Sequence, residues 1–191
     1  MKKIVFDIET KNDFVSGASF DPAKLDLSMV CIYDSETGRY DSFLEKDLPR
    51  LWPILEQADL LIGYNSDHFD IPLLNRYYPG DLQGIKSLDL LKEVKEVLGR
   101  RLRLDSLAEA TLGKKKLAGG LQAVKWWREG KIDKIREYCL EDVRITKELY
   151  EYALLHQCLK YKDLAQVREI KLDTSAWEQK AESGMTHSLP F

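Results

Sequence analysis

Long apolar runs are missing from this chain. None of its stretches approaches the roughly eighteen residues a membrane-spanning helix needs. Cysteine is scarce: Cys31, Cys139 and Cys158 are odd in number and widely spaced. That excludes a zinc knuckle of the CxxC kind and predicts reduced thiols, as in a cytosol. A signal-peptide pattern is lacking too, because Met1-Lys2-Lys3 runs straight into Ile4-Val5-Phe6-Asp7 and charge arrives too early. A cytoplasmic location is therefore the expectation. Internal repeats, low-complexity tracts and a clear interdomain linker are also absent. At 191 residues, 44% hydrophobic and 32% charged, the chain reads as one α/β domain able to bury its own core. We expect that domain over residues 1–173, with a polar tail over 174–191.

A net positive charge is the last thing lacking. The formal charge is −3, which speaks against a protein that binds nucleic acid over its whole surface. The average hides an asymmetry. Residues 1–91 carry 9 basic and 16 acidic side chains, residues 92–116 carry 8 and 4, and residues 117–191 carry 12 of each. A basic segment set against an acid-rich part suits an enzyme that grips phosphates on one side and divalent cations on the other. By itself such a run is more often solvated surface.

Apolar periodicity places the elements. Residues 3–8 predict a strand buried on both faces, and 28–33 with 39–44 predict two more, joined by a turn at 34–38 in an antiparallel meander. Residues 48–58 predict a helix with Asp47 as N-cap, 59–64 a strand, 71–78 a short helix stopped by Pro79-Gly80, and 84–88 a fifth strand. Helices follow over 90–98, 104–112, 120–129 and 132–159, with a late strand over 167–172.

Three pieces carry chemistry. In Phe6-Asp7-Ile8-Glu9-Thr10, strand alternation puts Asp7 and Glu9 on one face. Two adjacent carboxylates repel and call for a counter-charge, for which magnesium or manganese suits an all-oxygen set. A polar strand end explains a lone DxE equally well. In Gly63-Tyr64-Asn65-Ser66-Asp67-His68-Phe69-Asp70, Asp70 stands just before a helix, where it would serve as an N-cap or as a ligand at a strand's carboxyl end. Asp67 competes for that role, and His68 reads as an ordinary surface or hydrogen-bonded histidine. In Tyr138-Cys139-Leu140-Glu141-Asp142, the four-residue spacing puts the phenol and the terminal carboxylate on one helical face. Taken together, four carboxylates are enough to hold two cations roughly 4 Å apart, the arrangement for attack of water on a phosphodiester.

These motifs, in this order, resemble those of the DEDD group of 3′–5′ exonucleases, and most of all the proofreading domain of family-B DNA polymerases. The resemblance covers about residues 1–150 and falls on the tyrosine subclass, since the position where the histidine subclass keeps its histidine is Glu137. It implies a ribonuclease-H-like fold, a mixed five-stranded sheet with helices on both faces. It also implies two Mg²⁺ or Mn²⁺ ions on Asp7, Glu9, Asp70 and Asp142, with Tyr138 orienting water. Thr10, Asn65 and Phe69 match positions that shape the pocket for the terminal nucleotides. No polymerase domain accompanies the motifs, so the resemblance points to a stand-alone relative.

Single-stranded 3′ ends, DNA in preference to RNA, are the expected substrate, held by Arg101 and Arg103 of the Arg100–Arg103 cluster and by Lys114, Lys115 and Lys116. Trp126-Trp127 reads as one core residue and one half-exposed neighbour, or as a base-stacking pair. A structure-specific endonuclease and a catalytically inactive nucleic-acid-binding module stay open as alternatives. The terminal Ser188-Leu189-Pro190-Phe191 resembles the end of peptides that bind the bacterial sliding clamp, without their usual glutamine. Folding back onto the same domain is the simpler reading of that tail.

Overall fold

The computed structural model of the protein describes residues 1–13, 21–114, 121–164 and 166–179. Lys115, Lys116 and the tail residues 188–191 lie outside the described residues.

Five strands form one mixed sheet in the order β3-β2-β1-β4-β5. β1 (Lys3–Thr10) is central, and β2 (Leu27–Asp34) and β3 (Arg39–Leu44) continue from it as the antiparallel meander. β4 (Leu60–Gly63) and β5 (Ser87–Asp89) add on in parallel. The burial of β1 and β2 follows from helices on both faces; β3, an edge strand, alternates and exposes Arg39, Asp41 and their side of the ladder.

Strand alternation sorts β1 between two cores. Ile4, Phe6 and Ile8 pack with Leu51 and Leu55 of α1 (Leu48–Glu56) and Leu73 and Leu74 of α2 (Asp70–Asn75). Val5 faces the other way, into a larger cluster with α3 (Leu90–Leu98), α4 (Leu104–Leu112) and α6 (Ile132–His156). The short α5 (Leu121–Arg128) joins that second layer through Trp126 and Trp127. Asp7 and Glu9 share the parity of Val5, so they point toward α6. No helix among the described residues is long and apolar enough to cross a membrane.

Several boundaries differ from expectation, each for a local reason. α6 ends at His156, because Gln157 adopts a left-handed conformation (φ 54°) and its N–H caps the carbonyl of Ala153. Cys158 and Leu159 then open an unforeseen strand, β6 (Cys158–Asp163), paired antiparallel with β7 (Gln166–Lys171) in a separate ribbon. α2 stops at Asn75, three residues short of the expected end, and a 3-10 turn over Leu82–Gly84 takes the start of the expected fifth strand. The Asp47 carboxylate makes no cap bond to α1 and instead accepts the N–H of Leu44 at 3.4 Å. Packing also continues past residue 173. Trp177 is buried, stacks on Tyr150 at 5.9 Å and donates to Glu93 at 3.1 Å, so the polar tail cannot begin at 174.

Gly63 closes β4 where the chain folds tightly over fully buried Ser66. A Cβ at position 63 would lie 2.4 Å from the Ser66 Cβ and 2.5 Å from its Oγ. Gly63→Ala should therefore cost about 2 kcal/mol by overpacking, lowering Tm by about 4–8 °C. Adding Ser66→Gly should return part of that loss. Thermal denaturation of the three variants checks it; an additive double variant would contradict the contact.

Candidate active site

The carboxyl end of β1 opens into a cleft of about 480 Å³ between the two layers, walled by Asp7, Glu9, Asp70, Asn65, Phe69 and Asp142 among others. β1 brings Asp7 and Glu9; α6 brings Asp142 from across the layer. α6 is registered there by a contact behind the site, where the Cys139 thiol donates to the Asp7 carbonyl at 3.4 Å. Oxygens of Asp7, Glu9 and Asp142 all lie within 4.8 Å of one another. Glu9 and Asp142 are buried, and so is the Oδ2 atom of Asp7.

Ligands on opposite sides of a magnesium ion sit roughly 4.2 Å apart. Adjacent ligands sit closer, roughly 2.9 Å apart, so the three oxygens, within 4.8 Å of one another, would draw together on binding such a cation. Asp70 stands outside that trio but on the wall of the same cleft. It is the first residue of α2, with Phe69 in the N-cap position, so the simple cap reading does not describe it. Asp67 belongs elsewhere: it accepts the Ser87 hydroxyl and pairs with Lys92 at 3.7 Å.

Tyr138 is buried, and the described lining of the cleft includes Asp142 but not Tyr138. Burial raises its phenol far above the ordinary range, reinforced by the charges of Asp142, Glu9 and Asp7 and by a hydrogen bond to Asp142. The phenol keeps its proton and has an O–H to donate. Trp126 meets the Tyr138 ring edge-on with centroids 6.0 Å apart, a core packing role, while Lys11 sits over the Trp127 ring at 5.2 Å.

Asn65 takes a left-handed conformation (φ 66°) at the cleft rim, and its side-chain carbonyl accepts a hydrogen bond from Arg101. Thr10 is buried at the cleft wall and donates to the Asn12 carbonyl at 2.7 Å. Of the other basic residues expected to hold substrate, Arg103 and Lys114 are described, and both are ion-paired. Arg103 pairs with Asp105 at 3.0 Å and Lys114 with Glu148 at 2.7 Å, and neither lines the cleft.

Asp89 escaped the sequence reading. It is buried, caps α3 by accepting Leu91 N–H at 2.9 Å, and also accepts the N–H groups of Asn65 at 2.7 Å and Asp67 at 3.2 Å. One carboxylate thus fixes the loop that leads into Phe69 and Asp70. The signal was present: an Asp directly between a short apolar strand and a helix is an N-cap pattern.

Burial, with the nearby Asp89 charge second, pushes Asp70 up to about 8, against the pull of the N–H groups of Asp70 itself and Ile8. The metal-free protein should accordingly carry a proton there near neutrality. Because the folded value lies above the unfolded one of 3.8, the stabilising contribution is complete at acid pH. It declines as pH rises toward about 8 and is then lost. Unfolding in chelator from about pH 5 to 8.5 tests this: wild type should lose stability relative to Asp70→Asn as pH rises. A difference independent of pH would contradict it.

The family model of the RNase_H superfamily matches residues 4–154. The chain is 27% identical to a DNA polymerase of Thermococcus aggregans and 26% identical to one of Thermococcus litoralis, each match covering 78% of the chain. It spans only 10% and 11% of those proteins' lengths. The solved family B DNA polymerase of the hyperthermophilic archaeon Pyrobaculum calidifontis superposes with a TM-score of 0.62 at 24% identity, over 80% of this chain and 24% of that one. The mixed sheet with helices on both faces is thus the ribonuclease-H-like fold of that polymerase region, and the chain belongs to the RNase_H superfamily.

Proposed function

We propose that this protein is a divalent-metal-dependent 3′–5′ exonuclease acting on single-stranded nucleic acid. The observation that carries the reading is the convergence of Asp7, Glu9 and Asp142 oxygens within 4.8 Å in an open cleft that Asp70 also lines. The order and type of the three motifs support the 3′–5′ direction, and relatives that are DNA polymerases support DNA over RNA.

In this reading Asp7, Glu9, Asp70 and Asp142 would hold two Mg²⁺ or Mn²⁺ ions. When bound, such ions lower the pKa of water and neutralise the charge that builds on the phosphate. Asp70 enters the site as a carboxylate only when its proton is displaced, so metal binding competes with protonation there. The phenol of Tyr138 keeps its proton and donates a hydrogen bond to Asp142 in the metal-free protein; once Asp142 turned to a cation, that O–H would be released to orient the attacking water. Phe69 and Asn65 wall the terminal nucleotide, and Leu104 and Val124 give the cleft an apolar side against which a base can lie. The water oxygen bonds to phosphorus as the bond from phosphorus to the 3′ oxygen breaks. A nucleoside 5′-monophosphate leaves, and the shortened strand keeps a 3′ hydroxyl.

A 5′-labelled oligonucleotide tests the proposal. Wild-type protein with magnesium or manganese should give a ladder; a single discrete band would point to an endonuclease. Asp7→Ala and Asp142→Asn should each lose activity by about a thousandfold or more, while remaining folded because one of several repelling acids is gone. Tyr138→Phe should be impaired less, by about ten- to a hundredfold, since it removes one orienting hydrogen bond. Full activity in excess chelator, or wild-type turnover in folded Asp7→Ala, would overturn the assignment.

A further inference from the structure

Another cavity, of about 240 Å³, shares Asn65 with the carboxylate cleft. Asn65 lines both, so the two spaces meet at that residue. On the new side the lining includes His68, Lys92, Lys95 and Arg101. Lys92 and Lys95 stand three residues apart on α3 and share a helical face. Both are exposed, as is Arg101, one of whose five donors goes to the Asn65 side chain.

Two carboxylates also line this cavity, and both are committed. Asp89 accepts the backbone N–H groups of Asn65, Asp67, Leu91 and Lys92. Asp67 accepts the Ser87 hydroxyl, and its pairing with Lys92 is a 3.7 Å contact of a lysine side chain that is 59% exposed. Exposed pairs of that kind contribute at most about 1 kcal/mol, so an arriving phosphate can take over the ammonium. Of the cations that sequence clustering favoured, Arg101 lines this cavity, while Arg103 and Lys114 are paired with Asp105 and Glu148.

We infer that the cavity bounded by Arg101, Lys92 and Lys95 is a phosphate-backbone subsite, holding the part of a single strand that lies upstream of the scissile bond. The inference rests on the nuclease reading above. In this arrangement the 3′ terminal residue occupies the carboxylate cleft, the chain passes over the Asn65 ridge, and the next phosphates meet Arg101 and then the α3 lysines. The contacts are to phosphates, so the subsite grips without reading sequence.

The test uses the full chain with magnesium and two substrates: an oligothymidylate of roughly twelve nucleotides, and the p-nitrophenyl ester of thymidine 5′-monophosphate. The ester is too short to reach the subsite and reports the carboxylate cleft alone. For the oligonucleotide, Lys92→Gln/Lys95→Gln should raise KM roughly tenfold at low salt, with kcat little changed. The slope of log kcat/KM against log salt should become shallower by about 1.4, the value for two lost contacts to a single strand. Lys92→Arg/Lys95→Arg should restore both. If the Gln variant keeps the wild-type KM and salt slope while wild type hydrolyses the ester, the subsite is wrong and the nuclease reading stands. If wild type hydrolyses neither substrate, the nuclease reading fails and the subsite falls with it.

Discussion

Where α6 crosses β1, the Cys139 thiol meets the carbonyl of Asp7, and one helical turn later Asp142 arrives beside Asp7 and Glu9. Three carboxylates held this close repel one another, so they do not assemble the site. Apolar packing does: Ile135, Val143, Ile145 and Leu149 of α6 and Val5 of β1 bury together in one cluster. That burial is worth about 1.5–3 kcal/mol for each large side chain, enough in sum to hold like charges together until a cation neutralises them. The same fold brings Asp70 by a separate route, through the short α2 on the opposite layer.

Asp70 is where this strain is most visible. It is buried, near a second buried acid, and its carboxyl resists ionisation in the metal-free state. Asp89 adds to that cost through its charge, and its own contribution is structural. It spends its oxygens on backbone N–H groups and so turns a loop of irregular backbone into a fixed rim. Asn65 is held in its left-handed conformation by that bond on one side and by Arg101 on the other. The rim then has two sides, an acidic one suited to cations and a basic one suited to phosphates.

Much of this was legible in the sequence, because period-two and period-3.6 patterns dictate which face is buried. The meander, the central DxE strand and the shared face of Tyr138 and Asp142 follow from that alone. Asp70 could be read as cap or ligand, and only the three-dimensional path of the loop separates it from Asp67. What stayed hidden depends on long-range contact. Arg101 meets Asn65 across 36 residues, and Thr111 bonds the backbone of Lys160 in β6 across 49. β6 itself was masked because the apolar spacing of α6 runs on past His156, and the left-handed Gln157 that ends the helix is no glycine. The tail was misread at Trp177, whose burial needs Tyr150 and Glu93 from two distant helices.

The central claim is that the acidic cleft is a divalent-cation site assembled by α6 on β1. Calorimetric titration of Mn²⁺ into the metal-free protein at mildly alkaline pH, with thymidine 5′-monophosphate present, tests it most directly. The account predicts saturable binding of two ions per chain, and a marked loss of affinity in folded Asp142→Asn. Absence of saturable binding in the wild type, or equal binding by the variant, would contradict it.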